Sequence, residues 1–247
     1  MHLLLLLSGL LIGFQLFGQD PVYSVLTTQN GLPGNTIYSV LQDDKGFLWL
    51  AHERGLCRYD GVRFVPYKAN MQQGFSLSNL MAASSGQIWM QDFSGNFYAT
   101  SKDSIVKEPG LVSGGTYVAA GIINNHTLVS VKSDSIRVKH LPSRKQWSIK
   151  YPGSFSSAIC YEPDAVYFAS NNSIYKFDGQ RLTRHLQLDQ SLKNIFFLVK
   201  AGADFLAFTK QVMPYGYRIK GNAVQPVQLF DNRVFVQEVS KVGNEIW

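Results

Sequence analysis

The 247-residue chain is 45% hydrophobic and 13% aromatic but only 16% charged, with 21 Gly and 9 Pro. That balance excludes a disordered chain and a helical bundle, and suits a β-rich fold of one large domain or two small ones. The net charge of +6 is mild and no nucleic-acid motif accompanies it, so no nucleic-acid partner is expected. Part of the excess sits between Lys102 and Lys150, where Lys132, Arg137, Lys139, Arg144 and Lys145 suggest a solvated outer strand.

In chain order, Leu3–Gly18 is an apolar run that ends at the polar Gln19-Asp20-Pro21. It is short for a membrane span and suits a signal-peptide core, so residues 1–18 are expected to be a leader and the chain to be exported to the periplasm or the extracytoplasmic membrane face. Tyr23–Thr27 follows as a lone strand. Four short β-type runs come next, at 37–42, 47–52, 56–59 and 63–67, separated by Gly-ended loops and by Asp60-Gly61. Asp-Gly between apolar runs predicts a type I′ hairpin, and the four runs together make one antiparallel meander.

The unit recurs. Anchors in its second strand fall at Trp49, Trp89, Val129, Tyr167, Leu206 and Trp247, with spacings of 40, 40, 38, 39 and 41. SIYKFDGQRL (173–182) matches GLCRYDGVRF (55–64) almost position by position. A period near 40 with four strands per unit predicts an all-β fold, a β-propeller of four-stranded antiparallel blades, with the anchors wedged between blades. About five and a half blades fit into residues 19–247, so the propeller is expected to be incomplete at the C-terminus and to begin a longer protein. Cys57 and Cys160 fall in non-adjacent units and are expected to be free thiols, with a disulfide the lesser alternative.

Residues 31–67, GLPGNTIYSVLQDDKGFLWLAHERGLCRYDGVRFVPY, resemble the two-component regulator propeller repeat of bacterial sensor histidine kinases. The matching positions include Gly31, Leu32, Pro33, Asn35, Tyr38 and Gln42, then Asp43, Gly46, Trp49, Gly55, Arg58, Tyr59, Asp60, Gly61 and Phe64. Ala51-His52 departs from the usual Gly/Ala-Thr pair, and blades three to six match in spacing and pattern only. The resemblance implies an extracytoplasmic ligand-sensing propeller, oligosaccharides being frequent ligands. It further implies a homodimer in the full protein, with a transmembrane helix and a histidine kinase beyond residue 247.

The chain carries no P-loop, no G-x-S-x-G, no H-E-x-x-H and no dinucleotide glycine pattern, and no cofactor or metal is expected. Asp44-Lys45-Gly46-Phe47-Leu48-Trp49 fits the D-x-G-x-x-W core of the Asp-box, in which the Asp ties down the turn. That keeps a glycoside hydrolase or polysaccharide lyase as an alternative, beside a non-catalytic surface-interaction propeller. Candidate binding residues are those of the loops between second and third strands, which open where the chain enters each blade. They are His52, Glu53 and Arg54, Gln91 and Asp92, Lys132 and Asp134, Asn171 and Asn172, and Tyr215; His52 and Glu53 also suggest an acid–base pair.

Overall fold

The computed structural model describes residues 23–69, 76–110, 119–132, 134–152, 155–189, 195–209, 215–228, 241–242 and 245–246; the leader expected at 1–18 and the sixth anchor, Trp247, lie outside them. Five four-stranded antiparallel meanders follow in sequence. The first is β1 (Ile37–Gln42), β2 (Leu48–His52), β3 (Gly55–Tyr59) and β4 (Phe64–Ala69). The second is β5 (Leu77–Ala82), β6 (Ile88–Asp92), β7 (Phe97–Ser101) and β8 (Ser104–Glu108). The third is β9 (Ala119–Ile123), β10 (Thr127–Val131), β11 (Ser135–His140) and β12 (Gln146–Lys150). The fourth is β13 (Phe155–Glu162), β14 (Ala165–Ser170), β15 (Ser173–Phe177) and β16 (Leu182–Gln187). The fifth is β17 (Ile195–Ala201), β18 (Asp204–Thr209), β19 (Tyr215–Lys220) and β20 (Ala223–Gln228), and a short hairpin, β21 (Lys241–Val242) and β22 (Glu245–Ile246), comes after it. The fold is an all-β propeller, and the innermost strands β1, β5, β9, β13 and β17 neighbour one another in series.

The core lies in slabs between blades, because a single meander cannot cover both of its faces. In β6 the period-2 alternation sends Ile88 and Met90 toward the first blade and Trp89 toward the third. Trp49 packs with Leu77, Ile88 and Tyr98 of the second blade. Val129 packs with Val166 and Phe168 of the fourth blade, and Tyr167 with Leu198 and Phe205 of the fifth. Each of these anchors therefore faces the following blade. The second strands are buried on both sides, every residue of β10 included. Removing one such side chain loses its transfer energy and leaves a cavity, about 3–5 kcal/mol for an aromatic.

The turns differ from expectation in three places. First, Asp60 and Asp178 do not take the positive φ that a type I′ turn needs; only Gly61 (φ 95°) and Gly179 (φ 99°) do. Each Asp instead uses one oxygen to accept two amides ahead of it, Val62 and Arg63 at 2.9 and 2.8 Å, and Gln180 and Arg181 at 2.9 and 2.8 Å. These side-chain bonds replace the second left-handed residue. Second, Asp43 rather than Asp44 holds the first turn: it accepts the amides of Lys45 and Phe47 at 3.0 Å each and the Trp49 indole N–H at 2.9 Å. Third, Tyr23–Thr27 forms no strand among the described residues, having no ladder partner; Thr27 caps a 3-10 turn over Thr28–Asn30.

Lys139, expected on a solvated strand, is only 4% exposed. It pairs with Glu108 of the second blade at 2.6 Å and lies 5.5 Å from the centre of the Trp89 ring, so its charge is compensated across the blade boundary. Cys57 and Cys160 are free, as expected, and burial pushes the Cys57 thiol up to about 12.

Candidate functional site

The loops between second and third strands open on the face where the chain enters each blade. Three bonds tie the two together: Glu53 N–H to Thr36 O at 3.2 Å, Tyr151 N–H to Asp134 O at 3.1 Å and Leu188 N–H to Asn172 O at 2.8 Å. The structure thus places the described candidate loops on one face, but several of their side chains are committed to holding it together.

His52 and Glu53 are not hydrogen-bonded to each other. His52 is 1% exposed and its Nδ1 accepts the Arg54 amide at 3.1 Å, which puts the ring proton on Nε2. Burial pulls its pKa down, so the ring is neutral at pH 7. Glu53 accepts the Thr36 amide at 3.0 Å and packs on Gly34, where an added Cβ would meet its Oε1 at 2.5 Å. Arg54 is exposed. Asp92 is saturated by the Asn96 amide, the Asn96 side chain and the Tyr98 hydroxyl at 2.8, 2.7 and 2.9 Å; burial first and then Asp92 push the Tyr98 pKa up.

In the third blade the Lys132 carbonyl accepts the Tyr151 hydroxyl, while Asp134 accepts the Ser135 hydroxyl at 2.8 Å. Burial, then Arg137, pulls the Lys132 pKa down against Asp134. Asn171 and Asn172 form an exposed turn, with Asn171 at φ 52°. Tyr215 opens β19, and residues 210–214 of its loop lie outside the described residues.

One part of this face stands out chemically. Gln91, 0% exposed, accepts the Asn79 side-chain amide at 2.7 Å, and Asn79 also donates to Ala120 O of the third blade at 3.0 Å. Yet Gln91 Nε2, Ser78 Oγ and His52 Nε2 are all buried without a hydrogen-bond partner. Ser78 pairs with Gln91 across β5 and β6, and His52 with Ile37 across β2 and β1, at matching ends of neighbouring blades. Buried unpaired polar atoms are uncommon, and each costs about 1–3 kcal/mol unless something satisfies it.

Beside them Tyr38 and Phe93 meet edge to face at 4.9 Å while remaining 42% and 52% exposed. Tyr38 sits at the irregularity between Ile37 and Ser39, and its exposure follows the regular alternation of β1, in which Val40 and Gln42 are exposed too. It belongs to the quoted regulator phrase but not to any expected loop; the period-2 alternation of β1, which puts Tyr38 and Val40 on its exposed side, is the signal that would have found it. Tyr38 and Phe93 thus form an exposed aromatic platform at the same end of the first two blades as the buried, unpartnered atoms of His52, Ser78 and Gln91.

The two component regulator propeller family matches residues 31–54 of the chain. No curated protein matches it significantly. Among solved structures, virginiamycin B lyase from Staphylococcus aureus, in its quinupristin complex, superposes with TM-score 0.66 at 14% identity over 94% of this chain and 82% of that one. The extracellular domain of the hybrid two component system BT3049 from B. thetaiotaomicron gives 0.64 at 16% identity over 91% of this chain, and that of BT4673 gives 0.61 at 17% over 91%. The chain spans 33% and 31% of those two domains. At these identities the superpositions establish the propeller fold, while the family match rests on sequence. The sequence likeness to the two component regulator propeller thus lies in residues 31–54, the start of the first blade.

Proposed function

We propose that this chain is the ligand-sensing propeller region of an extracytoplasmic two-component sensor, non-catalytic in itself, which passes occupancy to a histidine kinase elsewhere in the full protein. The observation that carries the proposal is the regulator propeller match at residues 31–54, whose Tyr38 takes part in the platform described above. Extracellular domains of two hybrid two component systems share the fold and support the same placement outside the cytoplasm, with residues 1–18 as leader. The ligand class that fits the platform is a neutral oligosaccharide, with a sugar ring packed on the exposed Tyr38 and Phe93. A homodimer in the full protein would couple two such sites.

The alternative is an enzyme, since a lyase shares the fold. Against it stands the engagement of His52 and Glu53 by separate backbone amides, which leaves no acid–base pair between them. The deciding experiment is calorimetry with a panel of neutral oligosaccharides, with product analysis of the same mixtures. Binding without turnover is expected, weakened roughly three- to tenfold by Tyr38→Ala or Phe93→Ala. Turnover of a panel member, or no binding by any, overturns the sensing proposal.

A further inference from the structure

The opposite face, formed by the turns between first and second strands, carries a second feature. There the seams between blades are closed by backbone bonds: Ser84 N–H to Asn125 O at 2.8 Å joins the second and third blades, and Asn124 N–H to Pro163 O at 2.6 Å joins the third and fourth. Among the described residues no such bond joins the first blade's turn, 43–46, to the second's, 83–87. At that seam a cleft of about 490 Å³ opens. Its outer end is set by a parallel ladder between β4 and β8, Lys68 opposite Ser104, beside the lining residues Tyr67 and Lys102.

Arg58 lines this cleft. Its guanidinium carbon lies 4.4 Å from the centre of the Phe47 ring and 5.8 Å from that of Trp49, so aromatic contacts occupy the face of the group. Its hydrogen-bond donors point in the plane, and Nε is buried with no partner. Asp43, in the same lining, is already committed to the Trp49 indole and two amides. Lys45 and Lys102 join Arg58 in the lining, Asp43 and Asp44 offset two of these three positive charges, and Ser84, Ser85 and Gln87 supply neutral polar groups.

We propose that the cleft between the first and second blades binds a small hydroxylated carboxylate of sugar-acid size, its carboxylate meeting Arg58 and its hydroxyls the 84–87 turn. A planar guanidinium held by its face presents its edge to a carboxylate in the two-point geometry that a lysine cannot reproduce. The cleft volume falls in the range of small-ligand sites. The site is on the other face from the Tyr38–Phe93 platform and does not depend on the sensing role.

The test is calorimetry on the full chain with D-galacturonate, D-galactose and sulfate as probes at one ionic strength. Galacturonate is expected to bind and galactose and sulfate to bind at least about tenfold more weakly, with galacturonate affinity falling as salt rises. Arg58→Lys is expected to weaken galacturonate at least about tenfold, the lysine keeping the charge but not the fork. Because Arg58 also packs on Phe47 and Trp49, the exposed-turn variant Lys45→Ala/Lys102→Ala serves as the second probe, with a loss of about three- to tenfold expected. All titrations are run in the Tyr38→Ala background, which disables the platform and confines the readout to the cleft. No galacturonate binding, equal binding of galactose or sulfate, or full affinity in the double-lysine variant would overturn the proposal.

Discussion

The first and second blades build the same turn from different residues. Asp43 N–H bonds Phe47 O at 3.0 Å and Gly46 N–H bonds Asp43 O at 2.9 Å; forty residues on, Ala83 N–H bonds Gln87 O at 3.0 Å and Gly86 N–H bonds Ala83 O at 2.9 Å. Each turn leads to a buried tryptophan. The Trp49 indole N–H is taken by Asp43, whereas that of Trp89 is buried without a partner, since Ala83 has no acceptor to offer. Lys139 lies over the Trp89 ring instead. The backbone turn and the buried ring are what the repeat keeps; the side-chain acceptor is an addition particular to the first blade.

The largest expected effect tests what the two blades share. Trp49→Ala and Trp89→Ala should each cost about 3–5 kcal/mol in denaturant unfolding, because both rings fill inter-blade core. A loss below about 1 kcal/mol at either site would break the equivalence.

The next effects sharpen the difference. Asp43→Ala should cost about 1–3 kcal/mol, since the indole N–H and two turn amides lose their acceptor together. Burial alone would raise the Asp43 pKa, but the bonds from Trp49, Phe47 and Lys45 and the Lys45 charge outweigh it and hold it below 3.8. Because the folded value is the lower one, this stabilisation is present in full above pH 3.8 and is lost as pH falls through the folded pKa. Asp43→Asn should remove that acid-side slope from the stability curve; an unchanged slope would assign it to other carboxylates. Trp49→Phe should cost about 1 kcal/mol more than Trp89→Phe, because only the first mutation strands an acceptor. Smallest is Ala83→Asp, expected to gain about 0.5–1 kcal/mol by giving Trp89 its missing partner. A lower Tm for that variant would show that the second turn has no room for the acid.

Much of this architecture was legible in the sequence, because each blade is written in local terms. Glycines such as Gly46 and Gly86 take positive φ at a fixed offset before each tryptophan, and alternating apolar residues fill the strands between turns. What the sequence hid depends on one-residue geometry or on distant neighbours. Asp43 and Asp44 are adjacent, and only the rotation of the turn decides which one reaches the amides. Tyr38 lies on the exposed side of β1's alternation, and what makes it notable is Phe93 of the next blade, 4.9 Å away, which its own stretch of sequence does not announce. Lys139 is buried because Glu108 and Trp89 of another blade come to meet it. Of the candidate site, the shared face of the loops followed from topology, but the commitment of Glu53 and Asp92 to local backbone and side-chain donors did not. The cleft at Arg58 arises from the relation between two blades forty residues apart.

The parallel ladder between β4 and β8 has a consequence for how the chain acquires its structure. It pairs Lys68 with Ser104 and Ala69 with Ile105, joining two meanders into one eight-stranded sheet, while the other described blades remain separate four-stranded sheets. Units coupled by side-chain packing can open one at a time, whereas units sharing a ladder tend to open together. The first two blades precede the other described blades along the chain, and between them they bury the Trp49–Tyr98 slab on contacts of their own. They form a natural template during folding, against which each later blade can lay its strands.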